Sequence, residues 1–154
     1  PAGPQTATIS TQGQPDVQAP LNVTQDAPGL FAQTINGQAF ALVVHADGTA
    51  VTPSAPAVPG ETVTVYGTGF GATNPARPDG FPVPASPVYA LVDTASIQIG
   101  GVTVQPSSGF ALAGSAGVDA IQFVIAGGLP TATNAQITMT LNGQTSITLL
   151  LPMQ

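Results

Sequence analysis

Few residues of this chain have side chains suited to catalysis. His45 is the single histidine, and Asp47 and Ser54 follow it closely. Nucleophilic catalysis by a serine needs a histidine beside the hydroxyl and an acid that orients the ring, so these three residues are the nearest candidates for a triad. His45 ends an apolar run, however, and Asp47 falls in the turn after it, where aspartate commonly caps the backbone. We therefore expect a structural or surface histidine and predict that the chain is not an enzyme.

The carboxylates offer acid–base or metal chemistry only if they converge in the fold. They are scattered along the sequence, mostly at predicted turns, and no Asp-x-Asp calcium loop is present. The chain has no cysteine, which excludes disulfides and thiolate metal sites. We predict no catalytic residue, no cofactor and no metal site. The seven acidic residues are Asp16, Asp26, Asp47, Glu61, Asp79, Asp93 and Asp119.

Two features suggest contact with sugar. A binding platform could use aromatic rings, but aromatic residues make up only 5% of the chain, so we expect most of them in the core. Asn22-Val23-Thr24 is an N-glycosylation sequence, which makes Asn22 a candidate site for a covalent glycan. The aromatic candidates for a platform are Tyr66, Phe70, Phe81, Tyr89 and Phe110.

The charge composition excludes several classes of partner. Charged residues make up 5% of the chain, Arg77 is the only Lys or Arg, and the net charge is −6. Such a chain cannot neutralise nucleic-acid phosphates or dock on anionic lipid. Its apolar runs are too short for membrane insertion, whereas a hydrophobic content of 43% argues against disorder. An uncharged polar surface favours a secreted, extracellular or cell-surface protein that packs against copies of itself or carries sugar.

The strand with the clearest pattern begins after the Pro59-Gly60 turn. Val63 and Val65 alternate with polar residues, which is the two-residue period of a half-buried strand. Three glycines around Phe70 end it, at positions 67, 69 and 71. Glycines at a strand end mark either a bulge or a close approach of another backbone, so we predict a core strand with one of these two features at its end and with Phe70 in the core.

Other short strands surround this one. Turn signals at Ala46-Asp47-Gly48, Gly100-Gly101 and Asn142-Gly143 predict three hairpins. Residues 39–45 are predicted to form one strand, and the proline-rich residues 72–87 a loop. No sustained helical period occurs. Seven to nine short strands therefore predict an all-β sandwich over residues 27–154, preceded by an extended N-terminal strand arm over residues 1–26.

The segment Pro59-Gly-Glu-Thr-Val-Thr-Val-Tyr-Gly-Thr-Gly-Phe-Gly71 resembles the signature strand of the IPT/TIG group of immunoglobulin-like domains. Residues 27–151 are more broadly similar to an uncharacterised immunoglobulin-like C-terminal domain of secreted acidobacterial proteins. The matching pieces include Ala27-Pro-Gly-Leu-Phe31, Ile99-Gly-Gly101 and Leu141-Asn-Gly143. The resemblance implies an immunoglobulin-like fold and export, and it implies no catalytic residues. The segment 107–119 departs from the family pattern.

The arm of residues 1–26 lies outside this resemblance. The chain starts at Pro1 without a methionine, so we expect a processed product or a piece of a longer chain. The arm is strand-like but has too little apolar area to fold alone. It is either a linker or a strand of its own sandwich, or it is a donor strand that completes the sheet of the next copy. The donor residues would be Ala7, Ile9, Val17, Leu21 and Val23.

We therefore expect a non-enzymatic structural subunit of a secreted, self-assembling, pilus-like filament. Its partner is a further copy of itself, joined by N-terminal donor-strand insertion. The alternative is a carbohydrate-binding or adhesion module of a larger secreted protein.

Overall fold

The computed structural model describes residues 2–129 and 134–154. Pro1, the first residue of the predicted arm, lies outside the described residues. The described residues form strands and contain no helix, in agreement with the predicted all-β class. Among them there is thus no helix of the length and apolarity needed to cross a bilayer.

Sixteen strands are present in the described residues, more than the seven to nine predicted. Many are only two or three residues long, because bulges and crossings interrupt the pairing. The strands are β1 (Gly3–Ile9), β2 (Val17–Val23), β3 (Gly29–Leu30), β4 (Ala32–Ile35), β5 (Gln38–Ala41), β6 (Val43–Val44), β7 (Thr62–Thr68), β8 (Thr73–Asn74), β9 (Ala90–Leu91), β10 (Ser96–Ile99), β11 (Val102–Val104), β12 (Pro106–Ala111), β13 (Asp119–Val124), β14 (Ala135–Leu141), β15 (Gln144–Thr145) and β16 (Leu149–Leu151).

These strands form three sheets. One seven-stranded sheet has the order β11-β10-β14-β16-β5-β4, with β15 beside β14. A second has the order β3-β7-β13-β12-β9-β8, with β6 beside β7. Both contribute to one hydrophobic core, an arrangement consistent with a β-sandwich. The third sheet contains only β1 and β2.

The predicted core strand is confirmed as β7. Val63 and Val65 are buried, and β7 pairs with β13 along most of its length. Phe70 is fully buried in the core cluster, as its position between glycines predicted. All three predicted hairpin turns are also present, with Gly101 and Gly143 in the positive-φ region that such turns require.

The prediction of one strand over residues 39–45 is wrong. β5 ends at Ala41, and the chain crosses to the other sheet at Leu42, whose N–H donates to the Phe31 carbonyl oxygen (2.7 Å) and whose carbonyl accepts from Tyr66 (3.1 Å). A hairpin through Asn36-Gly37, which the sequence analysis did not identify, joins β4 to β5. The chain thus passes from one large sheet, which contains β4 and β5, to the other, which contains β6.

The segment after Gln105 was not predicted as a strand, yet β12 occupies Pro106–Ala111 and pairs with β13. Close packing accounts for the glycine in this strand, because a Cβ at Gly109 would lie only 2.8 Å from Leu91 Cδ1. The lack of apolar alternation hid this strand, because glycine replaces the side chain that would have shown the period.

Candidate functional site

The His45 side chain contacts Glu61 and Ala55 and makes no hydrogen bond to Ser54. Its Nδ1 contacts the Glu61 carboxylate, and its Nε2 lies 3.2 Å from the Ala55 carbonyl oxygen. The hydrogen bond to Glu61 raises the pKa of His45 above its ordinary value of 6.5. Ser54 Oγ instead lies 3.1 Å from the hydroxyl of Thr52. The structure therefore does not assemble the His45-Asp47-Ser54 arrangement.

Asp47 acts in the turn, as its position predicted. It accepts hydrogen bonds from the backbone N–H (2.9 Å) and hydroxyl (2.7 Å) of Thr49. These bonds lower the pKa of Asp47, because they stabilise its charged form.

Two buried carboxylates were not distinguished by the sequence analysis. Asp119 is fully buried, where it accepts from Arg77 Nη1 (2.5 Å) and from the backbone N–H of Phe70 (3.1 Å). Asp26 is also buried, and its Oδ2 accepts from the Asn142 side chain (2.6 Å). Asp26 and Asn142 lie 116 positions apart, so no local pattern could have connected them.

The described residues contain no group of three or more His, Cys, Asp or Glu side chains placed to hold a metal ion. The aromatic candidates are also dispersed. Phe70 is in the core, Phe81 is exposed beside Arg77 and Asp79, and Tyr89 and Phe110 line a separate cleft of about 160 Å³. Tyr66 and Phe110 share one sheet face, since both pair with Ala120, but the five aromatic candidates together do not form one platform.

The predicted arm forms a β-hairpin. β1 and β2 pair antiparallel over seven residues each, from Gly3↔Val23 to Ile9↔Val17. The chain reverses at residues 10–16, where Gln14 N–H donates to the Thr11 carbonyl oxygen (3.0 Å) and Gly13 adopts a positive φ of 79°. Because the chain reverses here, β1 and β2 pair with each other, and neither extends as a lone strand. We call residues 2–25 the N-terminal hairpin.

The N-terminal hairpin has one apolar face and one polar face. The register places all five predicted donor residues on the same face, since they occur at alternate positions of paired strands. Ile9 and Val17 are each 61% exposed, and Leu21 and Val23 are 40% and 39% exposed. The apolar side chains of this face are Ala7, Ile9, Val17, Ala19, Leu21 and Val23, and the face also carries Gln5 opposite Leu21.

The opposite face is polar and carries the candidate glycan acceptor. Asn22 is exposed and pairs with Pro4. The pairs Thr6↔Pro20 and Thr8↔Gln18 lie two and four residues further along the hairpin and therefore on the same face. A glycan on Asn22 would therefore project away from the apolar face. The strands of the hairpin contain no charged residue.

The glycines after β7 hold the root of the hairpin. Ala27 N–H donates to the Gly69 carbonyl oxygen (3.0 Å). A Cβ at Gly69 would overlap the Ala27 carbonyl oxygen, and one at Gly71 would overlap Asp26 Oδ1. Gly69 and Gly71 both have positive φ, at 74° and 87°. Of the two alternatives for these glycines, a bulge or a close crossing, the structure shows a crossing by residues 26–27, which connect the hairpin to the sandwich.

Comparisons of the chain with protein-family models, curated proteins and solved structures found no match. The resemblance to IPT/TIG domains therefore stays a prediction.

Proposed function

We propose that this protein is a non-enzymatic structural subunit that assembles with copies of itself into a secreted, pilus-like filament. In this proposal the N-terminal hairpin is the assembly element, and it joins the sheet of a neighbouring copy by strand addition. The body, residues 27–154, is an immunoglobulin-like sandwich that carries the receiving edge. Export and an extracellular or cell-surface location belong to the same proposal.

The observation that carries this proposal is the amphipathic hairpin without a partner strand. Its sheet contains two strands, and no residue of the hairpin belongs to the hydrophobic core cluster. A two-stranded hairpin is marginally stable in water, and a third strand or a packing surface is needed to stabilise it. A neighbouring copy supplies both.

The energetics favour a hairpin over a lone strand. Burying the four large apolar side chains, which are about half exposed, contributes about 3–6 kcal/mol at roughly 1.5–3 kcal/mol for each fully buried side chain. The hairpin is already paired in the free chain, so less conformational entropy is lost on association. The low charge of the strands removes a common barrier to edge pairing.

Assembly through two different surfaces has a geometric consequence. The hairpin of one copy contacts the body of the next, which leaves one hairpin and one body free at the ends. Such a heterologous contact propagates into an open filament. A glycan at Asn22 would lie on the polar face and would not obstruct burial of the apolar face.

Negative-stain electron microscopy of the purified protein tests this proposal. The full chain is compared with a chain lacking residues 1–25, which retains every residue of the core cluster. We expect filaments only from the full chain. Dispersed monomers in both preparations, or the same filaments in both, would reject the proposal.

A further inference from the structure

The two outer edges of the N-terminal hairpin are not equivalent. In an antiparallel pair, alternate residues direct their N–H and C=O groups towards the partner strand, and the residues between them direct these groups outward. Proline has no N–H, so it fits a continuous ladder only at an outward-directed position. The ladder runs without interruption through Thr6↔Pro20, and Pro20 is therefore outward-directed.

This assignment fixes the direction of every other residue in the hairpin. Positions two residues apart share a direction, so Gln18 and Asn22 are outward-directed on β2 together with Pro20. On β1 the outward positions are Thr6 and Thr8, and also Pro4 at the start of the strand. Both strand prolines thus fall at positions where no ladder hydrogen bond is lost.

The consequence is a closed edge and an open edge. The outer edge of β2 lacks a donor at Pro20, midway between Gln18 and Asn22, and the proline ring lies where an added strand would approach. Prolines of this kind protect sheet edges from pairing. The outer edge of β1 presents consecutive N–H and C=O groups at Thr6 and Thr8, because Pro4 affects only the beginning of the strand.

The body of the same chain offers a matching edge at β4. Ile35 and Gln38 close the two-residue Asn36-Gly37 turn, so Ile35 and, two residues before it, Gln33 direct their N–H and C=O groups towards β5. The Phe31 carbonyl oxygen also points this way and accepts from Leu42 N–H, whereas Phe31 N–H donates to Tyr66 in the other sheet. Ala32 and Thr34 consequently direct theirs outward at the end of the sheet. This edge contains neither proline nor charge over its four residues.

The other terminal strands of the two large sheets offer less. β3 and β8 have two residues each, and β8 is followed directly by Pro75. β11 has three residues, of which the ladder with β10 leaves only Thr103 directed outward. Among the terminal strands of the two large sheets, within the described residues, β4 is therefore the one with the longest free edge.

We propose that the outer edge of β1 pairs with the outer edge of β4 in a second copy of this chain, and that the β2 edge takes no part. This inference rests on the proposed function and identifies its contact. The two edges match in length and charge: β1 presents outward-directed Thr6 and Thr8, β4 presents Ala32 and Thr34, and neither strand contains a charged residue, which argues for a second copy as the partner. Two different edges, both present on each copy, give the head-to-tail contact.

A matched pair of proline substitutions tests the edge assignment in the full chain. Thr8 and Gln18 are cross-strand partners at the same outward-directed pair. Thr8→Pro removes a donor from the β1 edge, whereas Gln18→Pro adds a second proline to the β2 edge. We expect Thr8→Pro to raise the concentration needed for assembly by about tenfold or more and Gln18→Pro to leave it within about twofold.

Slow amide exchange at Ala7 and Ala19, which face each other inside the hairpin, verifies that each variant keeps the hairpin. If both variants assemble like the unmodified chain, or if both fail, the edge assignment is wrong while the proposed function stands. If the unmodified chain does not assemble, the proposed function fails.

Disulfide trapping tests the same contact without proline. The chain has no cysteine, so single-cysteine variants can be mixed without competing thiols. We expect Thr8→Cys on one copy and Thr34→Cys on another to form a mixed disulfide during assembly. Gln18→Cys with Thr34→Cys is the matched control. Equal trapping by both pairs, or trapping only by the control, would overturn the proposal.

Discussion

Ala27 donates its backbone N–H to the carbonyl oxygen of Gly69, and the Ala27 carbonyl oxygen occupies the space that a side chain at position 69 would need. This contact fixes the root of the N-terminal hairpin to the end of β7. Gly69, directly after β7, therefore has a structural role in connecting the hairpin to the sandwich.

Gly69→Ala should destabilise the fold much more than an equivalent change in open space. Gly60 and Gly69 flank β7 and both have positive φ, but a Cβ at Gly60 meets no atom within 4 Å. We expect Gly60→Ala to cost about 1–2 kcal/mol from backbone strain alone. Gly69→Ala should cost at least about 2 kcal/mol more, because it also overlaps Ala27. Urea denaturation measures both, and equal losses would contradict the close crossing.

The Arg77–Asp119 pair should be important for stability. Asp119 is fully buried, and Arg77 also donates through Nη2 to the Gly71 carbonyl oxygen (2.9 Å). Arg77→Gln would leave a buried carboxylate without its cation, which typically costs about 3–5 kcal/mol. Asp79→Asn, an exposed change nearby, should stay within about 0.5 kcal/mol. Denaturation curves that showed similar stabilities for the two variants would argue against this role.

The His45–Glu61 contact predicts a pH dependence of stability. The pKa of His45 is raised in the folded state, chiefly by the hydrogen bond to Glu61, so the folded protein retains this proton above pH 6.5 more readily than the unfolded chain does. The stabilisation is fully present below pH 6.5 and is lost as the pH rises through the higher folded-state pKa. His45→Gln should remove this component from the pH dependence of the free energy of unfolding. An unchanged pH profile in His45→Gln would show that the contact makes no such contribution.

The apolar face of the hairpin should control assembly without affecting the sandwich. Ile9 and Val17 face each other at the tip end of the hairpin, and both are exposed. Replacing both by serine should weaken assembly by about tenfold or more, because their burial against the next copy is lost. The melting temperature of the sandwich should change little.

The adjacent pair provides the control for this prediction. Thr8 and Gln18 lie on the polar face, and replacing both by serine leaves the backbone edge of β1 intact. We expect assembly within about twofold of the unmodified chain, measured by sedimentation over a concentration series. If the polar-face variant were the weaker assembler, the polar face would be the buried one.

The elements that could be predicted from the sequence were those with a local signal. The alternation at Val63 and Val65 predicted β7, and Asn142-Gly143 predicted the hairpin between β14 and β15. Asn36-Gly37 carries the same signal as Asn142-Gly143, and it was missed because the apolar run after it was interpreted as one continuous strand. The crossing at Leu42 depends on contacts with the other sheet, which period alone does not reveal.

The candidate assembly site was predictable only in part. The alternation of Ala7 and Ile9 showed a strand, but the pairing of β1 with β2 depends on the reversal at Gly13. The significance of Pro20 emerges only from the register, because its direction is defined by the partner strand. The bond between Asp26 and Asn142 joins distant parts of the chain, so local sequence patterns could not indicate it.

Site-resolved amide hydrogen exchange on assembled and dispersed protein tests the central claim most directly. The account predicts that the N–H groups of Thr6 and Thr8 exchange rapidly in the dispersed chain and at least about 100-fold more slowly after assembly, as expected when ladder hydrogen bonds form. Gln18 and Asn22 should exchange rapidly in both states. Unchanged exchange at Thr6 and Thr8 in an assembled sample, or a protein that stays dispersed at every concentration, would contradict the account.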